Sequence, residues 1–179
     1  MPGHLVISGE KVSLYTLTRK DMELIWKYYG DFEVRRFLID GFMPVYLEDE
    51  VRWYEERVVG AKDKNVVFCV VENSKRRIVG LVGLHEINHY HGYAEIGYWL
   101  WKEYWRRGFG TETVKLMVTY GFQFLNLRKI FARVFSPNIA SQRVLEKNGF
   151  RKTGKLSKHM FVPGYGYVDV IFFEKFREE

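Results

Sequence analysis

Residues 105–111 have the sequence WRRGFGT, between a segment patterned as a β-strand and one patterned as an α-helix. Gly108 and Gly110 allow the backbone to turn tightly and to approach a ligand closely. Free amide groups in the first turn of a helix, together with the positive end of the helix dipole, attract phosphate. Arg106 and Arg107 would add positive charge. The stretch therefore predicts a phosphate-binding loop that leads into a helix, although an ordinary strand-to-helix turn also uses glycines.

Two widespread phosphate-binding loops differ from this one. A Walker loop ends in glycine and lysine followed by serine or threonine, whereas Gly110 is followed by Thr111 and Glu112. The dinucleotide-binding fingerprint needs a third small residue where this chain has Thr113, and it belongs to an all-parallel unit. The sequence therefore argues against an ATPase and against a dehydrogenase.

Hydrophobic periodicity on both sides of the loop predicts an α+β chain. Strands are predicted at residues 11–17, 66–71, 77–84, 93–101, 129–135, 150–161 and 167–176, and helices at 19–29, 32–38, 47–59, 111–125 and 138–147. The three strands within 66–101 have short connections and should pair antiparallel. The strand–helix–strand segment that follows should add a parallel pair by a crossover. Because no linker or repeat divides the chain, we predict a single domain over residues 1–179, with a mixed, largely antiparallel sheet flanked by helices.

The composition limits the class of protein. With 47% apolar and 17% aromatic residues among 179, the chain can bury a large core, which excludes intrinsic disorder. Cys69 is the single cysteine, so an internal disulfide and a thiolate zinc cage are excluded, and a reducing, cytoplasmic location is expected. No apolar run predicts a membrane span or a signal peptide. The net charge of +6 is compatible with an anionic ligand, a nucleic acid or plain solubility.

A second informative segment is NIASQRVLEKNGF at residues 138–150. Asn138 is placed to cap a short helix, with Ser141 one turn in. Together with WRRGFGT and with AEIGYWL at residues 94–100, this segment resembles the GNAT acetyltransferase superfamily. The resemblance is nearest to the branch that acetylates ribosomal-protein amino termini and that includes spermidine acetyltransferases. It runs from about residue 9 to the end, with the motifs within about 66–150, and Trp105 is common in this branch where the superfamily usually has Gln or Arg.

The resemblance implies the GNAT acyl-CoA N-acyltransferase fold, in which two parallel strands splay apart, and acetyl-CoA as the donor, without a metal. Backbone amides of residues 106–111 would hold the pyrophosphate of the donor. The backbone of residues 98–100 would pair with its pantetheine arm. The donor-binding residues implied in this way are Tyr98, Trp99, Leu100, Arg106, Arg107, Gly108, Phe109, Gly110, Thr111 and Asn138.

The implied reaction is direct attack of a primary amine on the thioester. An alkylammonium group has a pKa of about 10.4, so a base or a water path must remove a proton. Glu95 is the candidate base because it lies in a strand among apolar residues, although a paired or surface glutamate is the alternative interpretation. A backbone amide near Tyr98 would hold the oxyanion. Ser141 is the candidate acid for the leaving thiolate through the family pattern, since none of the tyrosines is clearly placed for that role.

Other reactive or charged groups receive simpler interpretations. His85, His89 and His91 with Glu86 fall in a predicted connection between two strands, which favours a polar loop over a metal site. Cys69 is expected to be a buried hydrophobic residue. A late strand contains a basic stretch. A solvated face is a simpler interpretation of this stretch than a nucleic-acid surface. That stretch comprises Arg151, Lys152, Lys155 and Lys158.

Three functions stay open after the sequence is considered. The first choice is an N-acetyltransferase that acts on a protein or peptide amino terminus, and the alternative is a polyamine or other small-amine acetyltransferase. A different class is a non-catalytic acyl-CoA-binding or basic RNA-binding module. The expected partners are acetyl-CoA and a primary amine, without a membrane or a nucleic acid, and a homodimer stays open. Residues 30–46 and the helix after them would shape the choice of acceptor.

Overall fold

A computed structural model describes residues 2–39 and 41–178, which fold around one eight-stranded sheet. The strands are β1 (Leu5–Ser8), β2 (Val12–Thr16), β3 (Val66–Glu72), β4 (Arg77–Asn88), β5 (Tyr93–Leu100), β6 (Lys129–Phe135), β7 (Arg151–Val162) and β8 (Gly166–Phe176). The helices are α1 (Met22–Tyr29), α2 (Phe32–Arg35), α3 (Leu47–Trp53), α4 (Phe109–Gln123) and α5 (Ile139–Lys147). Short 3₁₀ turns precede α1 and α4, and a π-helical stretch continues α3 to Val59.

The strand order is β1-β2-β3-β4-β5-β6-β8-β7, and each neighbouring pair is antiparallel except β5 with β6, which is parallel. The predicted mixed, largely antiparallel sheet with one parallel pair is therefore confirmed. The crossover through α4 produces the parallel pair, because a helix returns the chain to the same end of the sheet. β8 returns between β6 and β7, which leaves β7 at the edge.

Within the sheet, the sequence prediction was wrong by more than one residue in two places. The sequence prediction begins at residue 11 and misses β1, because four residues are too few to show an alternating pattern. The prediction also ends the fourth strand at Leu84, whereas β4 continues to Asn88. β4 can continue past its polar residues because β5 still pairs with it there, with His85 opposite Glu95. His85 therefore lies in a strand, and not in the predicted loop.

Helices cover both faces of the sheet, so β3 is buried on both sides. On one face Val70 packs in the cluster that contains Met117 of α4. On the other face Cys69 packs in the cluster that contains Met22 of α1. Successive residues of a strand point to opposite faces, and an almost continuous apolar run results. Burial also raises the pKa of the Cys69 thiol, which matches the predicted buried, unreactive side chain.

The first turn of α4 is tied to the turn between β1 and β2 by the carboxylate of Glu112. It accepts the backbone N–H groups of Glu10, Lys11 and Val12 at 2.6, 2.8 and 3.0 Å. Hydrogen bonds to a charged acceptor are stronger than those between neutral groups. The start of α4 and the amino-terminal hairpin consequently form one unit, although about a hundred residues separate them in the sequence.

We predict that Glu112→Ala lowers the free energy of unfolding by about 2 kcal/mol, because three backbone donors lose a charged acceptor. Urea denaturation measures this loss. Glu146→Ala is the matched control on α5, where the carboxylate is half-exposed and lies 3.7 Å from Lys152. The control should change the free energy of unfolding by less than about 0.5 kcal/mol. Equal effects of the two substitutions would contradict the tie.

Candidate active site

The parallel strands β5 and β6 are joined over a short distance and then diverge. In the described chain their ladder comprises three pairs, from Tyr93 opposite Lys129 to Glu95 opposite Phe131. Both strands continue beyond this point, β5 to Leu100 and β6 to Phe135. The result is a V-shaped gap that opens toward the carboxyl ends of the two strands. Strand edges that lack a neighbour can pair with an extended ligand, so the gap can receive an elongated molecule.

The loop after β5 turns sharply into α4. Arg106 and Gly108 have left-handed φ angles of 58° and 82°, and Gly108 is the residue that precedes the helix. The first N–H groups of a helix have no acceptors within the helix, so this position favours an anion. Trp105 donates its indole N–H to the carbonyl of Leu100 at 2.8 Å and so ties the loop to the end of β5. This contact is a structural role for Trp105 that the sequence did not reveal.

Arg107, one of the two predicted arginines of the loop, contacts other parts of the protein. Arg107 lies 3.7 Å from the buried carboxylate of Glu72, and its guanidinium stacks over the rings of Tyr104 and Phe109. Its charge is therefore directed partly toward the protein. Lys11, which the sequence analysis missed, donates its ammonium group to the carbonyl of Arg107 at 3.3 Å. No sequence pattern links residues so far apart, so this cation could be found only in the folded chain.

Glu95 lies at the point of the V, in the last pair of the ladder. It is 7% exposed, and its carboxylate makes a two-pronged ion pair with Arg133 of β6. Arg133 donates Nε to Oε1 at 2.7 Å and Nη2 to Oε2 at 2.6 Å. These hydrogen bonds raise the pKa of Arg133. Glu95 is therefore a paired residue, which was the alternative interpretation of the sequence. Its role as a base stays a prediction.

Arg133 is a residue that the sequence analysis did not single out. It interrupts the otherwise apolar run IFARVF of β6. A charge inside an apolar strand needs a partner when it is folded against a sheet. That rule was the available signal, but it could not have identified Glu95 as the partner.

Next to Glu95, the ring of His85 covers a pair of glycines. Gly83 and Gly97 face each other across β4 and β5. A Cβ atom at Gly83 would lie 2.8 Å from Nε2 of His85, and one at Gly97 would lie 3.4 Å from the ring. The two glycines therefore make room for the imidazole on the face that carries Glu95.

The three histidines do not converge. Nε2 of His89 lies 2.7 Å from the carbonyl of Asp63, away from the glycine pair under His85. Among the residues that the structure describes, no group of three or more His, Cys, Asp or Glu side chains could hold a metal ion. For the same residues, no helix is long and apolar enough to cross a membrane.

On the opposite face of the sheet, the start of α5 meets the β5 arm of the V. Asn138 caps α5, because its Oδ1 accepts the backbone N–H of Ser141 at 3.2 Å. The hydroxyl of Ser141 lies 2.8 Å from the hydroxyl of Tyr98. The sequence assigned no tyrosine to this position, and the folded chain brings Tyr98 to it. Burial raises the pKa of Tyr98.

The predicted donor-binding residues of β5 and of the loop after it form one path from the gap to α4, whereas Asn138 lies at the start of α5. The far end of α5 is joined to this path, since the side-chain amide of Asn148 donates to the carbonyl of Thr111 at 3.1 Å. The side chain of Trp99 lies apart from this path. It packs beside Tyr29 on the α1 face of the sheet, whereas Tyr98 packs on the α4 face. The predicted contact of Trp99 with the donor is therefore assigned to its backbone.

Known proteins resemble this chain over most of its length. Residues 11–151 match the family model described as acetyltransferase (GNAT) domain. The uncharacterized N-acetyltransferase YoaA of Bacillus subtilis is 31% identical over 177 residues, which cover 90% of this chain and 92% of YoaA. The spermidine N(1)-acetyltransferase of Escherichia coli K12 is 30% identical over 158 residues, which cover 88% of this chain and 82% of that enzyme.

A solved structure supports the fold. The spermidine N-acetyltransferase of Vibrio cholerae, crystallised with CoA and spermine, superimposes with a TM-score of 0.85. It is 24% identical in sequence and covers 94% of this chain and 96% of its own. The similarity extends over the whole sheet, so the diverging strands belong to a known architecture.

We predict that Arg133→Gln lowers the free energy of unfolding by about 1–2 kcal/mol, because it leaves the buried Glu95 carboxylate without its cation. The figure is smaller than for a fully buried pair because Arg133 is 37% exposed and solvent screens it. The double variant Glu95→Gln/Arg133→Gln should regain part of this loss in urea denaturation. Arg151→Gln on the exposed edge strand is the control. A double variant no more stable than Arg133→Gln alone would contradict the importance of the pair.

Proposed function

The chain belongs to the acetyltransferase (GNAT) family, and on that premise we propose that it transfers an acetyl group to a polyamine or another small primary amine. The chain is an acetyl-CoA-dependent N-acetyltransferase. The finer choice of acceptor departs from the first expectation, a protein or peptide amino terminus. It rests on the spermidine N(1)-acetyltransferase of E. coli, which is 30% identical across 88% of this chain.

The charge distribution supports a cationic acceptor. Residues 21–56 contain ten of the 22 acidic residues and four of the 28 basic ones, so this segment is acidic in a basic protein. They include α1, α2 and α3, and α1 packs on the sheet face that carries Glu95 and Trp99. Clusters of one charge raise the local concentration of the opposite charge. A polyamine carries several ammonium groups on an apolar chain, which acidic and aromatic surfaces together can bind.

The rest of the chain is correspondingly basic, which favours the anionic donor. The backbone amides of residues 106–111 hold its pyrophosphate, with positive charge from Arg106, Arg107 and Lys11. The backbone of residues 98–100 pairs with its pantetheine arm inside the gap. The left-handed turn at Gly108 supports this assignment, because it brings the chain directly into the amino terminus of α4.

Glu95 removes the proton of the acceptor, directly or through a water molecule. Arg133 uses one lone pair of each carboxylate oxygen, and each oxygen keeps another for an ammonium group or water. The ion pair fixes the position of the carboxylate. The neutral amine then attacks the thioester carbonyl, a backbone amide near Tyr98 stabilises the oxyanion, and Ser141 stabilises the leaving thiolate.

The remaining alternatives carry less support. Membership of the family argues against a basic RNA-binding module. A homodimer, a cytoplasmic location and the absence of nucleic acid from the function stay predictions.

Substrate preference tests the proposal. Acetyl-CoA at about 100 times its dissociation constant should stabilise the protein by about 2.7 kcal/mol in thermal unfolding, while NAD and ATP leave it unchanged. Release of free thiol is then measured with spermidine, spermine, amino sugars, amino acids and short peptides. We expect kcat/KM for a polyamine to exceed that for any peptide by at least about tenfold, or about 1.4 kcal/mol. If a short peptide were the best acceptor, the result would contradict the proposal and support a protein or peptide amino terminus as the acceptor.

Glu95→Gln tests the base. We expect kcat/KM to fall at neutral pH and to recover partly at high pH, where the acceptor loses its proton without help. The pH profile of thiol release measures this, with donor affinity as the check that the site is intact. Glu146→Gln on α5 is the control for loss of a surface carboxylate. A profile of Glu95→Gln that matches the wild type at every pH would exclude Glu95 as the base.

A further inference from the structure

Tyr98 and Ser141 join the two arms of the V-shaped gap. Tyr98 lies on the β5 arm, three residues beyond the last pair with β6, and Ser141 lies in α5, which follows the β6 arm. Their hydroxyl oxygens are 2.8 Å apart, and the tyrosine hydroxyl is also 3.4 Å from the backbone carbonyl of Ser141. The Asn138 cap fixes the first turn of α5. The serine is thus held from both sides.

Either hydroxyl can donate this hydrogen bond, and acidity favours donation by Tyr98. A phenol is a stronger acid than an aliphatic alcohol, so Tyr98 donates the stronger hydrogen bond and Ser141 accepts it. Burial raises the pKa of Tyr98 above its usual value of about 10, so the phenol keeps its proton at neutral pH. A hydroxyl can accept and donate at once. The hydrogen of Ser141 is then available to another acceptor.

We propose that Tyr98 is a positioning residue that acts through Ser141, holding the serine hydroxyl so that its hydrogen points at the sulfur of the donor. This inference rests on the proposed function of the site. It gives a role to the Tyr98 side chain, whereas the sequence assigned a function only to the backbone at that position. Chains of hydrogen bonds polarise one another, so the pair stabilises negative charge better than Ser141 alone.

The chemical step balances without proton transfer from either hydroxyl. As the new C–N bond forms and the C–S bond breaks, the electron pair of the C–S bond passes to sulfur. The proton that the amine loses as the C–N bond forms passes to water, because Glu95 already holds the proton removed from the ammonium group. A thiol has a pKa of about 8.5, below that of either hydroxyl, so Ser141 donates a hydrogen bond to the thiolate and keeps its proton. Solvent protonates the thiolate after release.

A double-mutant cycle tests the coupling. Wild type, Tyr98→Phe, Ser141→Ala and the double variant are compared in kcat with saturating donor and the best amine, and in donor dissociation constant. Each single variant should lower kcat about tenfold while the dissociation constant changes less than about twofold. The double variant should be no slower than Ser141→Ala, because Tyr98 acts through the serine. Multiplication of the two single effects, or an unchanged kcat in Tyr98→Phe, would overturn the inference.

Three further variants separate this role from a structural one. Ser141→Thr keeps the hydroxyl, so its kcat should be close to that of the wild type and well above that of Ser141→Ala. The double variant Ser141→Thr/Tyr98→Phe should again have a lower kcat than Ser141→Thr. Tyr120→Phe is the matched control, since the Tyr120 ring packs edge-on against Phe68, with the ring centroids 4.9 Å apart, on the same face of the sheet. Its kcat should equal that of the wild type. A comparable loss in Tyr120→Phe would assign the effect of Tyr98→Phe to packing.

A measurement on bound CoA separates failure of this inference from failure of the proposed function, because it needs no acceptor. The ultraviolet absorbance of the thiolate is followed against pH with CoA bound to each protein. In the wild type the bound thiol should ionise about one pH unit lower than in Tyr98→Phe or Ser141→Ala, the equivalent of about 1.4 kcal/mol. Equal titration in the three proteins would refute the hydrogen-bonded pair, whatever the acceptor is.

Discussion

The divergence of β5 and β6 after three ladder pairs determines where every candidate residue lies. Each arm of the V is held on its outer side, because β5 pairs with β4 as far as Leu100 and β6 pairs with β8 as far as Phe135. Neither arm can therefore swing across to close the gap without breaking its own ladder. The Glu95–Arg133 ion pair spans the two strands where they begin to part. The outer ladders thus preserve the gap inside the sheet.

The end of the site that is proposed to bind phosphate depends on contacts from distant parts of the chain. Glu112 ties α4 to the amino-terminal hairpin, Trp105 ties the loop to β5, and Asn148 ties the first turn of α4 to the end of α5. A loop that is already ordered loses little conformational entropy when it binds. The loop and the point of the V are consequently both held by hydrogen bonds within the protein itself.

Much of this arrangement could be predicted before folding was considered. The periodicities gave β6 its observed bounds and α5 its bounds within one residue. β1 and the end of β4 escaped prediction because pairing with neighbouring strands, and not residue type, defines them. The partners of Glu95 and Ser141 escaped for the same reason, since each is supplied by a strand distant in the sequence.

The sequence by itself determined the order of elements after β1, the glycine turn into α4, the cap of α5 and the membership of the family, because these depend on residue types at short, fixed spacing. Only the tertiary structure decided that Arg133 forms an ion pair with Glu95, that Lys11 contacts the loop and that the hydroxyl of Tyr98 contacts that of Ser141. Those contacts join residues 38, 96 and 43 positions apart. Spacing along the chain carries no information about them, since the register of the sheet and the crossing of its helices bring such residues together.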